Sequence, residues 1–220
     1  MRNVSEKRAV LLITATALTA VVGSGCFRYE QSIVLDADGT AQVTVSYSVP
    51  RVLTDEEREL SPAILPDAGA VTPLYDEETA ALKSAFRRFG VDVTDASVAD
   101  DGDFLTYAVT GTVADPDALG SVLPYFDEHK TEYKADEKTA RFKETIENDL
   151  SEVDRPTDEE KPLLEALFPD CGFTFRVVMP GPVKDTNGTV GADGRTVEWR
   201  FGLAEFLFAE KVEMWAETTY

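Results

Sequence analysis

Between residues 41 and 49 apolar and polar side chains alternate without a break. Ala41, Val43, Val45, Tyr47 and Val49 take one side, and Gln42, Thr44, Ser46 and Ser48 take the other. A period of two puts successive side chains on opposite faces of an extended chain, so this is a strand with one dry and one wet face. Pro50, which cannot donate to a ladder, ends it. Upstream, Phe27, Tyr29, Ile33 and Leu35 share a face, and Asp36-Ala37-Asp38-Gly39 carries the residues of a tight turn. A first hairpin is therefore predicted over 27–49.

The same pattern recurs. Val91–Val98 turns at Asp100-Asp101-Gly102-Asp103 and returns as Phe104–Val113. Thr131–Lys134 faces Thr139–Ile146. Phe173, Phe175, Val177 and Met179 match Val197, Trp199, Phe201 and Leu203. Lys211–Thr218 adds a last strand. Helices are expected between the hairpins. Asp76 caps one running to Phe89 with Gly90 as its stop, its stripe made of Leu82, Ala85, Phe86 and Phe89. Thr54-Asp55-Glu56-Glu57 has capping-box spacing. Asp115-Pro116 opens a short helix to Leu123, and Leu163, Leu164, Leu167 and Phe168 follow Pro162 in another. Glu147–Lys161 reads as a solvated loop. The expected class is α+β: antiparallel hairpins forming a sheet or sandwich, with a few short helices packed on it.

The front of the chain has another character. Arg2, Lys7 and Arg8 precede fourteen uncharged residues, Ala9–Val22, then Gly23-Ser24-Gly25 and Cys26. Basic start, apolar core and small residues make up a secretory signal peptide. Fourteen residues fall short of the about 20 that a membrane-spanning helix needs. Ser24-Gly25-Cys26 resembles the bacterial lipoprotein signal, although Gly23 stands where that class usually has Leu. The resemblance implies cleavage between Gly25 and Cys26, diacylglyceryl and palmitate-type acyl chains on Cys26, and membrane anchoring outside the cytoplasm. Phe27 as the second mature residue implies the outer membrane where the source has two membranes. The expected organisation is a cleaved signal over 1–25 and one extracytoplasmic domain over 26–220.

Composition bounds the partners. The 220 residues carry a formal charge of −20, and losing Arg2, Lys7, Arg8 and Glu6 with the leader deepens it to −22. So acidic a body offers no basic face to phosphate, which argues against nucleic acid. With 43% apolar residues it is no disordered polyanion. The acidity reads as a solubilising surface held off anionic headgroups or as adaptation to salt, and the low count of nine lysines fits the second. Cys171 is the other cysteine. With Cys26 acylated it has no internal disulfide partner, and beside Pro169-Asp170 and Gly172 it reads as a small apolar residue near a turn.

Catalytic signals are sparse. His129 is the single histidine, set among Asp127, Glu128 and Lys130, and reads as an exposed surface residue. One histidine and two cysteines exclude a His-based zinc site or a Cys/His cluster. No phosphate-binding loop, dinucleotide glycine motif or kinase set occurs. Asp36-Ala37-Asp38-Gly39 and Asp100-Asp101-Gly102-Asp103 do not extend into a calcium loop, and turn chemistry accounts for both. Asn187-Gly188 reads as a tight turn. No catalytic residue, metal or cofactor is expected.

The segment 173–201 resembles the closing part of LppM-like envelope lipoprotein domains. The likeness lies in Pro180-Gly181-Pro182-Val183, Asn187-Gly188 and Val197-Glu198-Trp199, with the Asp38-Gly39 turn of the opening hairpin. It implies an envelope-facing domain that binds a lipid, glycolipid or protein, and supplies no catalytic residue. Many of these relatives carry a membrane helix near the C-terminus. The segment 212–220 is too polar to span, so anchoring is expected at the front. The leading expectation is a non-enzymatic, lipid-anchored domain presenting a sheet surface to an envelope protein or lipid. The rival is a carrier of an apolar small molecule in a pocket lined by Phe173, Phe175, Trp199 and Phe201.

Overall fold

A computed structural model describes residues 27–50, 90–100, 104–121, 128–147, 161–168 and 171–219, and six positions between 79 and 87. The strands are β1 (Arg28–Leu35), β2 (Ala41–Pro50), β3 (Asp92–Asp100), β4 (Phe104–Val113), β5 (Glu128–Ala135), β6 (Thr139–Glu147), β7 (Gly172–Val178), β8 (Val183–Thr186), β9 (Thr189–Val190), β10 (Thr196–Gly202) and β11 (Lys211–Thr219). Two bounded helices, α1 (Lys161–Leu167) and α2 (Leu203–Phe208), have seven and six residues.

The hairpins fall into two sheets. One has the order β3-β4-β2-β1-β7-β10-β9, and the other β5-β6-β11-β8. The α+β expectation is thus corrected: the fold is a β-sandwich. The second layer is the four-stranded sheet, and α1 and α2, less than two turns each, are too short to form a layer of their own. The Asp115-Pro116 element is a 3-10 helix over Pro116–Ser121, whose first turn Asp115 caps through the Asp117 N–H at 3.1 Å. Helical backbone occurs at 79–80, 83–84 and 86–87, and Gly90 closes that segment at φ 81°. The Thr54 helix, the 148–160 loop, the leader and Cys26 lie outside the described residues.

One pairing departs from the hairpin pattern. β1 lies parallel to β7, Arg28 opposite Gly172 and Val34 opposite Val178. The first hairpin and the β7–β10 pair thereby join into one sheet, and the other ladders are antiparallel. β8 leaves the connection between β7 and β10 and crosses to β11 in the other sheet. Inward residues of both sheets share one core: Ile33, Val43 and Phe175 from the large sheet, and Phe142, Ile146 and Met214 from the small one. Phe142 and Trp199 meet across the interface with ring centres 6.4 Å apart.

Candidate functional site

The dry space between the sheets is not wholly apolar. In β1 the inward positions are Tyr29, Gln31, Ile33 and Leu35, so a carboxamide sits in an apolar row. In β6 they are Ala140, Phe142, Glu144 and Ile146. Glu144 is 0% exposed and Gln31 5%. The Gln31 Nε2 amide donates to both carboxylate oxygens of Glu144, at 2.9 and 3.0 Å. The Tyr29 hydroxyl donates to Gln31 Oε1 at 3.0 Å, which orients the amide. His129 Nε2 meets Glu144 Oε1 at 2.5 Å, with the imidazole 1% exposed.

The surface reading of His129 is therefore wrong. β5 begins at Glu128, three residues before the alternation predicted from Thr131. That start turns Lys130 and Glu132 to one face and His129 and Thr131 to the other. The charge of Lys130, next to His129 in sequence, thus lies on the opposite face of the strand. The missed signal was the polar break at Gln31 and Glu144 in two otherwise apolar rows.

Burying a carboxylate is costly unless donors converge on it, and here an amide and an imidazole from two other strands do so. Gln31 belongs to the large sheet, and Glu144 and His129 to the small one. The arrangement fixes how the two layers sit. On the same face of β5, the buried Thr131 Oγ1 makes no hydrogen bond among the described residues. A second polar tie lies at the rim. Asn187 Oδ1 accepts from Trp199 Nε1 of β10 at 2.8 Å and from the Trp215 N–H of β11 at 3.0 Å. The Asn187 amide donates to the Glu213 carbonyl at 2.8 Å. The expected Asn-Gly turn is present between β8 and β9, and it also bridges the sheets.

The outer face of the small sheet carries the same residue types in water. Lys130 pairs with Glu132, Lys143 and Lys211 with Glu213, Lys211 with Glu147, and Arg141 with Glu217. The Lys130 hydrogen bond holds the Glu132 carboxyl below its ordinary range, and those of Lys211 and Lys143 do the same to Glu213. On this face cations and anions balance, in a chain whose total charge is −20.

No family model matches the chain, and no curated protein matches it. Among solved structures, it is similar to the folded domain of the Mycobacterium tuberculosis LppM protein, determined by NMR. There the identity is 16%, the alignment covers 90% of this chain and 92% of that one, and the TM-score is 0.49. A second likeness is to the mu homology domain of Fcho1 from Danio rerio, solved with a bound Eps15 peptide. Its identity is 9%, covering 90% of this chain and 81% of that one, with a TM-score of 0.24.

Of the residues singled out in the sequence, Gly25 and Cys26 lie outside the described part. The next residue is tied into the large sheet. The Phe27 carbonyl accepts the Gly172 N–H at 3.1 Å, and the Phe27 ring lies 5.9 Å from that of Phe173. Cys171 is buried, as expected for a small apolar residue beside a turn. The aromatics expected to line a pocket are packed on one another. Phe173 stacks on Phe206 at 3.9 Å, and Phe201 meets Phe175 and Phe206 edge-on at 6.1 Å. Among the described residues no helix is long and apolar enough to cross a membrane.

Proposed function

We propose that this chain is a lipid-anchored protein of the bacterial cell envelope, and that its β-sandwich is a non-enzymatic binding domain held outside the cytoplasm through Cys26. One observation carries the reading. β1 begins at Arg28, two residues beyond the lipoprotein-like cysteine, so a cut before Cys26 removes none of the described elements. The acyl chains supply the anchor, because each buried methylene contributes about 0.8 kcal/mol and two or more chains hold stably. The partner class that suits such a domain is an envelope protein or lipid, met by the sandwich surface.

The test is the native product. Its mass should equal that of residues 26–220 plus attached acyl groups, and a Cys26→Ser variant should leave the membrane fraction. A parent that starts upstream of Cys26, or a variant as firmly membrane-bound as the parent, overturns the reading.

A further inference from the structure

We infer that one end of the sandwich, formed by Phe27, Arg28 and helix α1, rests against the lipid headgroups, with the β1–β2 and β5–β6 turns at the other end facing away. The inference rests on the lipid anchor proposed above and adds an orientation and a contact surface.

The length of the tether decides it. Only Phe27 separates Cys26 from β1. Phe27 is itself tied into the fold by its carbonyl bond to Gly172 and its ring contact with Phe173. The remaining reach is at most about 7 Å of chain. A bilayer of about 40–45 Å with a hydrocarbon core of about 30 Å leaves a headgroup layer of comparable depth on each side. A domain whose acyl chains are in the core has no slack to stand clear of that layer.

The residues at this end suit the contact. Gly172 opens β7 opposite Arg28, and Gly202 closes β10 opposite Gly172. α1 leads into β7, α2 follows β10, and the two helices pack together here. On α1, Leu163 is 58% exposed, against 44% for Val190 on the short strand β9, and these are the exposed large apolar side chains among the described residues. Lys161 belongs to the same helix. Arg28 is exposed, with its guanidinium 4.7 Å from the centre of the Phe104 ring. Leu163 offers an apolar side chain and Arg28 a cation to an interface of acyl chains below and phosphates above, with the exposed Glu165 on the same helix as Leu163.

Acidic turns lie at both ends: the β3–β4 connection that follows Asp100 is on the Arg28 side, and three others are opposite. The β1–β2 turn holds Asp38 and the β5–β6 turn Asp136, and the two turns are joined by the Tyr133 hydroxyl on the Asp36 carbonyl. Asp193 sits in the turn before β10, beside Met179 at the end of β7. Each of these carboxylates caps backbone N–H groups of its own turn.

The test uses the acylated full chain, purified and reconstituted into phosphatidylglycerol/phosphatidylethanolamine vesicles, with nitroxide labels on Leu163→Cys or Asp38→Cys. Collisions with a water-soluble nickel chelate should fall about five-fold or more at 163 relative to 38, as expected for burial in the interface. The same labels on a Cys26→Ser chain mixed with those vesicles should be equally open. An acylated, vesicle-bound protein whose two labels are equally open overturns the orientation while leaving the anchor intact. Shielding at 163 that persists in the Cys26→Ser chain shows that protein, not lipid, covers the site, and also overturns it. Absence of acyl mass on Cys26 overturns the anchor, and the orientation with it.

Discussion

The two faces of the four-stranded sheet hold acidic and basic side chains under opposite conditions. On the inner face Glu144 and His129 meet buried from solvent, and the pair is completed by an amide from the other sheet. On the outer face Lys130, Lys143 and Lys211 meet their glutamates in solvent. β5 and β6 contribute to both sets, joined on the outer face by Lys211 and Glu213 of β11, so the difference lies in the dielectric around them. Exposed pairs are typically worth about 0–1 kcal/mol. A buried pair owes its effect to desolvation: with both partners present it holds a geometry, and with one removed it leaves a charge where none is tolerated. The outer lattice serves solubility, and the inner cluster specifies how the layers dock.

The largest effect is expected inside. Glu144→Ala removes the acceptor at which Gln31 and His129 converge, and His129→Ala leaves Glu144 short of a donor. Each should cost about 3–5 kcal/mol in denaturant unfolding. Replacing Gln31, His129 and Glu144 together by apolar residues should recover most of that loss. A triple variant as unstable as the single ones would show that the cluster contributes energy as well as geometry.

Asn187→Ala should come next, at about 1–3 kcal/mol, since it unpairs the part-buried Trp199 Nε1–H and two backbone groups of β11. A change in tryptophan emission should accompany it. On the outer face Lys143→Ala should cost less than about 1 kcal/mol and lose that small effect in molar salt. A larger, salt-insensitive loss would mean that this face is less wet than its exposure indicates.

The smallest effect is a matter of pH. The Thr196 hydroxyl, then the Thr196 and Arg195 N–H groups, hold the exposed Asp193 carboxyl down at about 2. Its folded value lies below the unfolded one, so its stabilisation is present above the ordinary value of 3.8 and is lost as pH falls through about 2. Amide shifts of Arg195 and Thr196 should follow that titration. A midpoint near the ordinary aspartate value would show that the turn does not hold.

Much of the strand pattern is legible residue by residue. Alternation marks the first hairpin, β3–β4, β7–β10 and the last strand, and Asp38-Gly39 marks a turn that the structure places at φ 91°. The site is less legible. His129 looks exposed because its sequence neighbours are charged, whereas a strand sends neighbours to opposite faces. Gln31 and Glu144 lie 113 residues apart, and nothing local announces their contact. Helix signals overstate the helical share of the fold: capping residues mark where a helix starts, but its contribution to a layer depends on length and packing.

The sequence by itself determined the basic and apolar layout of residues 1–25, the cysteine that follows it, the acidic composition and most strand faces, because these depend on residue type and on the two-residue period of an extended chain. Tertiary structure alone decided the partition of hairpins into two sheets, the parallel seating of β1 on β7, the burial of Glu144 with His129, and which end of the sandwich lies beside Cys26. These depend on contacts between residues far apart in the chain, where burial and dielectric are set by the partner surface and not by the neighbours in sequence.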